Sequence, residues 1–136
     1  MKGISFKKAL GIILFIVLII TILNVTVSAR YQYISNFSYG FSINSNGLAT
    51  CTGYVKPTYD DKKTTLTVEL QKCSNGSWVY VDSWSDSRTG ANSFSITELK
   101  YVISGKYRVV VTAYVYSSSG TLLETTSCTS SEITYY

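Results

Sequence analysis

Apolar positions in this chain recur mostly with a period of two, and no stretch beyond the N-terminal 29 residues keeps a helical period of useful length. The run Gly105 to Tyr116, GKYRVVVTAYVY, is apolar on both faces. Tyr107, Val109, Val111, Ala113 and Val115 fall on one side, and Arg108, Val110, Thr112, Tyr114 and Tyr116 on the other. β-Branched and aromatic residues dominate it, which predicts a central strand with Val109 and Val111 at the middle of the core. The cleanest alternation is Thr64 to Lys72, where Leu66, Val68 and Leu70 should face inwards and Thr65, Thr67, Glu69 and Gln71 outwards. Further strands are predicted over Tyr31 to Ile43, Leu48 to Val55, Trp78 to Trp84, Phe94 to Thr97 and Thr121 to Thr129. Asn44 to Gly47, Ser74 to Ser77 and Ser117 to Gly120 read as turns, because Asn and Gly accept the positive φ that tight hairpins need. Glu98 to Ser104 reads as a corner, and Ser130 to Tyr136 as a tail with room for one short strand. The pattern as a whole predicts an all-β domain, an antiparallel β-sandwich of about seven strands, with an open barrel as the alternative.

The first 29 residues differ in character. Lys2, Lys7 and Lys8 precede an unbroken apolar run, Ala9 to Ile20, and Val27-Ser28-Ala29 follows. A basic start, an apolar middle and small residues at a cleavage site are the layout of a secretory signal peptide. Residues 1–29 are therefore read as a hydrophobic helix removed on export, leaving a single domain over residues 30–136. The alternative is an uncleaved membrane anchor over residues 9–29, since that length of helix would span a bilayer. Cleavage removes three of the 12 basic residues and none of the 8 acidic ones, so the remaining chain carries 9 minus 8, or +1. A charge so near zero argues against nucleic acid as a partner, and leaves the N-terminal segment as the membrane contact if it stays in place.

Catalysis has little to work with. The chain contains no His, which excludes a Ser-His-Asp or Cys-His nucleophile, and Asp60-Asp61 beside Lys62 and Lys63 reads as a solvated turn. No metal site is expected, because Cys51, Cys73 and Cys128 are widely separated and no imidazole can join them. No cofactor is expected either. Three cysteines in an exported chain allow one disulfide and one free thiol, and the sequence does not choose the pair. The functional lead is aromatic. If Val79 and Val81 face the core, alternation sets Trp78, Tyr80 and Trp84 on the outer face that also shows Arg108, Tyr114 and Tyr116. Rigid rings with polar tips anchor protein interfaces and stack on sugars. The expected role is a secreted, non-catalytic binding or cell-surface interaction module whose partner is a protein or a cell-wall glycan. The alternative is a released effector of the bacteriocin or toxin type.

Two resemblances add to this. Leu99 with Gly105-Lys106-Tyr107-Arg108-Val109-Val110-Val111-Thr112-Ala113 resembles the corner and following strand of fibronectin type III and immunoglobulin-like domains, although this strand has no Cys for the immunoglobulin inter-sheet bridge. That resemblance implies a tyrosine corner, in which the Tyr107 hydroxyl bonds back to the preceding backbone. Cys51-Thr52-Gly53, Leu70-Gln71-Lys72, Ser74-Asn75-Gly76-Ser77-Trp78 and Gly105-Lys106-Tyr107-Arg108 are similar, in that order, to small secreted proteins of Gram-positive bacteria with no assigned activity. This second resemblance implies a sandwich outside the cell and no particular function.

Overall fold

Asn75 and Gly76 both take positive φ, 51° and 79°, the pairing a two-residue type I′ hairpin requires. They join the two longest antiparallel partners of a computed structural model that describes residues 31–136. Eight strands follow one another: β1 (Ile34–Ile43), β2 (Leu48–Pro57), β3 (Lys63–Ser74), β4 (Ser77–Thr89), β5 (Phe94–Tyr101), β6 (Gly105–Tyr116), β7 (Leu122–Thr129) and β8 (Ile133–Tyr135). They form two antiparallel sheets, one ordered β1-β2-β5 and the other β4-β3-β6-β7, with β8 also on β6. Strands β7 and β8 share one edge of β6: β7 pairs with Val110 to Tyr116, and β8 with Gly105 to Tyr107. Between them Ser130 bridges the gap. Its amide donates to the Val109 carbonyl and its hydroxyl accepts from the Val109 amide, both at 2.9 Å.

The core is what the alternation on β3 and β6 dictates. Leu66, Val68, Leu70, Val109, Val111, Ala113 and Val115 of the larger sheet are fully buried against Ala49, Cys51 and Val55 of the smaller one. Opposed apolar faces of this kind are those of a β-sandwich. The sheets approach closely at Gly53. A Cβ there would stand 2.7 Å from Val68 Cγ2 and 2.8 Å from Val111 Cγ1, so no larger residue fits without displacing them. Tyr107 is buried, and its hydroxyl donates to the Ile103 carbonyl at 2.9 Å across the corner that opens β6.

The strand bounds depart from the sequence reading most in β4 and β5. β5 runs on to Tyr101 instead of turning at Glu98, because its second half pairs with Leu48 to Cys51 of β2. β4 continues through Ser85 to Thr89, a segment polar on both faces whose register with Lys63 to Thr67 alone makes it a strand. The tail contributes the eighth strand, β8, the short strand for which the sequence left room. The signal-peptide and anchor readings fall on residues 1–29, outside the described residues. Among those described, no helix is long and apolar enough to cross a membrane.

Candidate functional site

Pairing partners in a sheet share a face, so the register settles which rings stand together. On β3 the outward set is Thr65, Thr67, Glu69, Gln71 and Cys73, and on β6 it is Arg108, Val110, Thr112, Tyr114 and Tyr116. Trp78 pairs with Cys73 and Tyr80 with Gln71, so both lie on this outer face with Arg108. Trp84 does not. It pairs with the buried Val68, points inwards and packs against the core. The cause is a register shift opposite Leu70/Gln71, a β-bulge near Val81 that inverts the alternation of β4. Val81 still reaches the core, whereas Val79 is 42% exposed. The sequence assigned all six residues to one aromatic face; the fold separates them into two groups and removes Trp84.

The first group sits near the Asn75-Gly76 hairpin. The Arg108 guanidinium stacks 4.2 Å from the centre of the Trp78 ring, and its Nε donates to Gln71 Oε1 at 2.8 Å. Gln71 in turn donates to Glu69, so the cation is held flat by a polar relay on one side and a ring on the other. Tyr80 stands beside it, 61% exposed. The second group, Tyr114 and Tyr116, lies at the far end of β6. Between them runs a band of hydroxyls paired across strands, Thr65 with Ser87, Thr67 with Ser85 and Thr112 with Ser127, at 2.6–3.2 Å.

At the Tyr116 end the sheet opens into a cleft of about 540 Å³ lined by Asp61, Lys63, Thr65, Thr89, Tyr116, Ser117, Ser118 and Gly120. Three separate segments build it: the β2–β3 loop with the start of β3, the end of β4, and the end of β6 with the β6–β7 hairpin. Each wall is tied down. The Gly90 amide donates to the Lys62 carbonyl and the Ala91 amide to Asp60 Oδ1. Ser117 closes the hairpin by accepting from Gly120 N at its carbonyl and from Thr121 N at its hydroxyl. Asp61 is hydrogen-bonded to Lys62, whose ammonium holds the carboxyl below the usual carboxylate range. Lys62 also lies 5.9 Å from the centre of the Tyr59 ring. Lys63 makes no ion pair among the described residues. The cleft therefore offers one ring, a carboxylate, an ammonium and several hydroxyls, a set suited to a polar, hydroxylated ligand and poorly suited to an apolar one.

Cys51 is buried on the inner face of β2, and burial, helped by the nearby Asp82 charge, pushes its thiol up to about 11. Cys128 pairs with buried Val111 and faces inwards from β7, its thiol also raised by burial, whereas Cys73 lies on the outer face. All three are free thiols. Their strands do not run up and down in sequence order, and the inner and outer placements keep Cys73 from meeting the other two. Seven of the eight carboxylates have a partner: Asp61 with Lys62, Asp82 with Lys100, Asp86 with Arg88, Glu132 with Lys106, Glu69 with Gln71, Asp60 with a backbone amide, and Glu124 with the amides of Gln32 and Tyr33. Glu98 alone has none among the described residues. No group of three or more His, Cys, Asp or Glu converges there as a metal set. No family model matches the chain, and no curated protein matches it in sequence.

Proposed function

We propose that this chain is an exported, non-catalytic binding module of fibronectin type III-like architecture, and that it takes saccharide units of a cell-wall or cell-surface glycan in the cleft beside Tyr116. The observation that carries the reading is the cleft's composition. A tyrosine ring, the Asp61 carboxylate, the Lys63 ammonium and the hydroxyls of Thr89 and Ser118 converge at one end of a hydroxyl-rich sheet face. A sugar presents an apolar ring face with polar edges, and a site that binds it supplies a flat ring for the first and mixed donors and acceptors for the second. The architectural part rests on two features. The fourth strand joins the sheet of β3 and β6, whereas in constant immunoglobulin domains it joins the sheet of the first, second and fifth. The Tyr107 hydroxyl bond to Ile103 has the form of a tyrosine corner. Export rests on the layout of residues 1–29, with the chain then beginning at Arg30.

The absence of His and the pairing of the carboxylates favour binding over turnover. The test is retention of the protein on isolated cell-wall polysaccharide, compared with Tyr116→Ala, Lys63→Gln and, on the other aromatic group, Trp78→Ser. Loss of one stacking ring should weaken binding at least about tenfold, equivalent to about 1.4 kcal/mol. Trp78→Ser should weaken it less. Equal retention of Tyr116→Ala and the unaltered protein would remove the cleft from the reading, and retention by no glycan at all would sink it.

A further inference from the structure

Glu98, the one carboxylate without a partner among the described residues, lies on β5, an edge of the three-stranded sheet, and so does a cluster of exposed large apolar side chains. Leu99, Tyr101 and Ile103, on β5 and just past its end, are 59%, 72% and 73% exposed. A free strand edge is a template for another strand, and proteins blunt it with charges when pairing is unwanted. Here the charges have opposite sign and flank a single residue: Glu98, Leu99, Lys100. In antiparallel self-pairing centred on Leu99, each Glu98 falls opposite Lys100 of the partner subunit, and Leu99 stands beside its own counterpart on the outer face. Parallel pairing in register would instead set like charges side by side. We propose that β5 pairs in this way with β5 of a second copy of the chain, joining the two three-stranded sheets into one of six strands about a two-fold axis at Leu99.

The longest edge strand, β4, lacks this property. Antiparallel self-pairing of β4 about Trp84 would place Asp82 opposite Asp86 of the partner subunit, two like charges, and its bulge bends the strand as well. Lys100 already bonds Asp82 at 2.8 Å, and both groups are part-exposed, which leaves the ammonium room for a second carboxylate.

The charge pattern supplies its own test, made on the full chain in mild detergent by sedimentation equilibrium, with circular dichroism melts as the check on folding. The unaltered protein should be dimeric. E98K gives a copy with two lysines at the edge and K100E a copy with two glutamates, so each alone should dimerise at least about tenfold more weakly. Mixed in equal amounts they should associate again, because every cross-strand pair is then of opposite sign. E98K leaves the Asp82–Lys100 bond intact, so its effect stands even if K100E proves unstable. A monomeric unaltered protein, an E98K that sediments like it, or two folded variants that stay apart on mixing would each overturn the proposal. Glycan retention is read separately, so loss of this pairing and failure of the cleft are distinguishable.

Discussion

Gly53 is the point at which a single added methyl group should do most harm, and the structure says which neighbour could relieve it. An alanine Cβ would lie 2.7 Å from Val68 Cγ2 and 2.8 Å from Val111 Cγ1, in a core where all three positions are buried. Gly53→Ala should therefore cost about 1–3 kcal/mol by overpacking. Val111→Ala removes the equivalent of two methylene groups, about 1.6 kcal/mol at roughly 0.8 each, and its cavity adds about 1 kcal/mol more. If the two sites were independent, the double variant would lose the sum, about 3.6–5.6 kcal/mol. It should lose less by about 1–2 kcal/mol, because the methyl group at 53 enters the space Val111 vacates and Val68 alone must still give way. Urea melts of the four proteins with a common m-value provide the cycle. A double variant additive to within about 0.5 kcal/mol would refute the close approach of β2 to β6.

Four further outcomes follow from named contacts. Tyr107→Phe should lose about 0.5–1.5 kcal/mol with the hydrogen bond to Ile103, measured by the same melts. Thr64 is fully buried and its hydroxyl has no partner among the described residues, so Thr64→Val should leave stability unchanged or raise it, by up to about 1 kcal/mol; a clear loss would mean the hydroxyl is satisfied. A thiol reagent at pH 8 should label Cys73 first and spare Cys51 in the native protein, since burial and a thiol near 11 both protect the latter, with mass spectrometry of the digested product as the readout. The Asp82 carboxyl lies below its ordinary 3.8 because Lys100 and the Ser83 amide bond its charged form, so its stabilising effect is present above 3.8 and is lost as pH falls through the lowered value; Asp82→Asn should flatten the acid limb of the stability profile.

How much of this was legible in the sequence depends on whether one residue type or one pairing carried the information. Leu66, Val68 and Leu70 against Thr65, Thr67 and Glu69 leave one inward face possible, and β3 and β6 lie as their alternation requires. β4 shows the limit. Trp78, Tyr80, Asp82 and Trp84 have the spacing of a common face, and nothing in the residues themselves marks the bulge beside Val81 that turns Trp84 into the core. Leu99 is similar: its neighbourhood resembles the start of a corner, yet pairing with Thr50 draws it into β5 and leaves it exposed. The cleft was beyond sequence reasoning because residues 61–65, 89 and 116–120 meet only through the order β4-β3-β6-β7. Its signals were present one by one, as a turn at Asp60-Asp61, a hairpin at Ser117 to Gly120 and a tyrosine closing a strand.

Topology also links the two proposals. A two-fold axis that pairs antiparallel edge strands runs perpendicular to their sheet, so both copies keep the same face of the sandwich towards the same side. The outer faces of the two β4-β3-β6-β7 sheets would then look in one direction, each carrying its hydroxyl band, with the Tyr116 clefts at opposite ends. That arrangement suits an extended, repetitive polymer better than a single small ligand. A weak saccharide contact in one cleft raises the local concentration of the same polymer at the other, and avidity can exceed the single-site affinity by roughly 10²–10⁴ where the spacing is met. Two consequences separate this from two unrelated features of one surface. E98K should leave the affinity for a short oligosaccharide unchanged, because no cleft residue is touched, while retention on the intact polymer falls. Tyr116→Ala should weaken both and leave the dimer intact. An E98K variant that binds short and long glycans equally well, both as tightly as the unaltered protein, would show that the cleft and the β5 edge act independently.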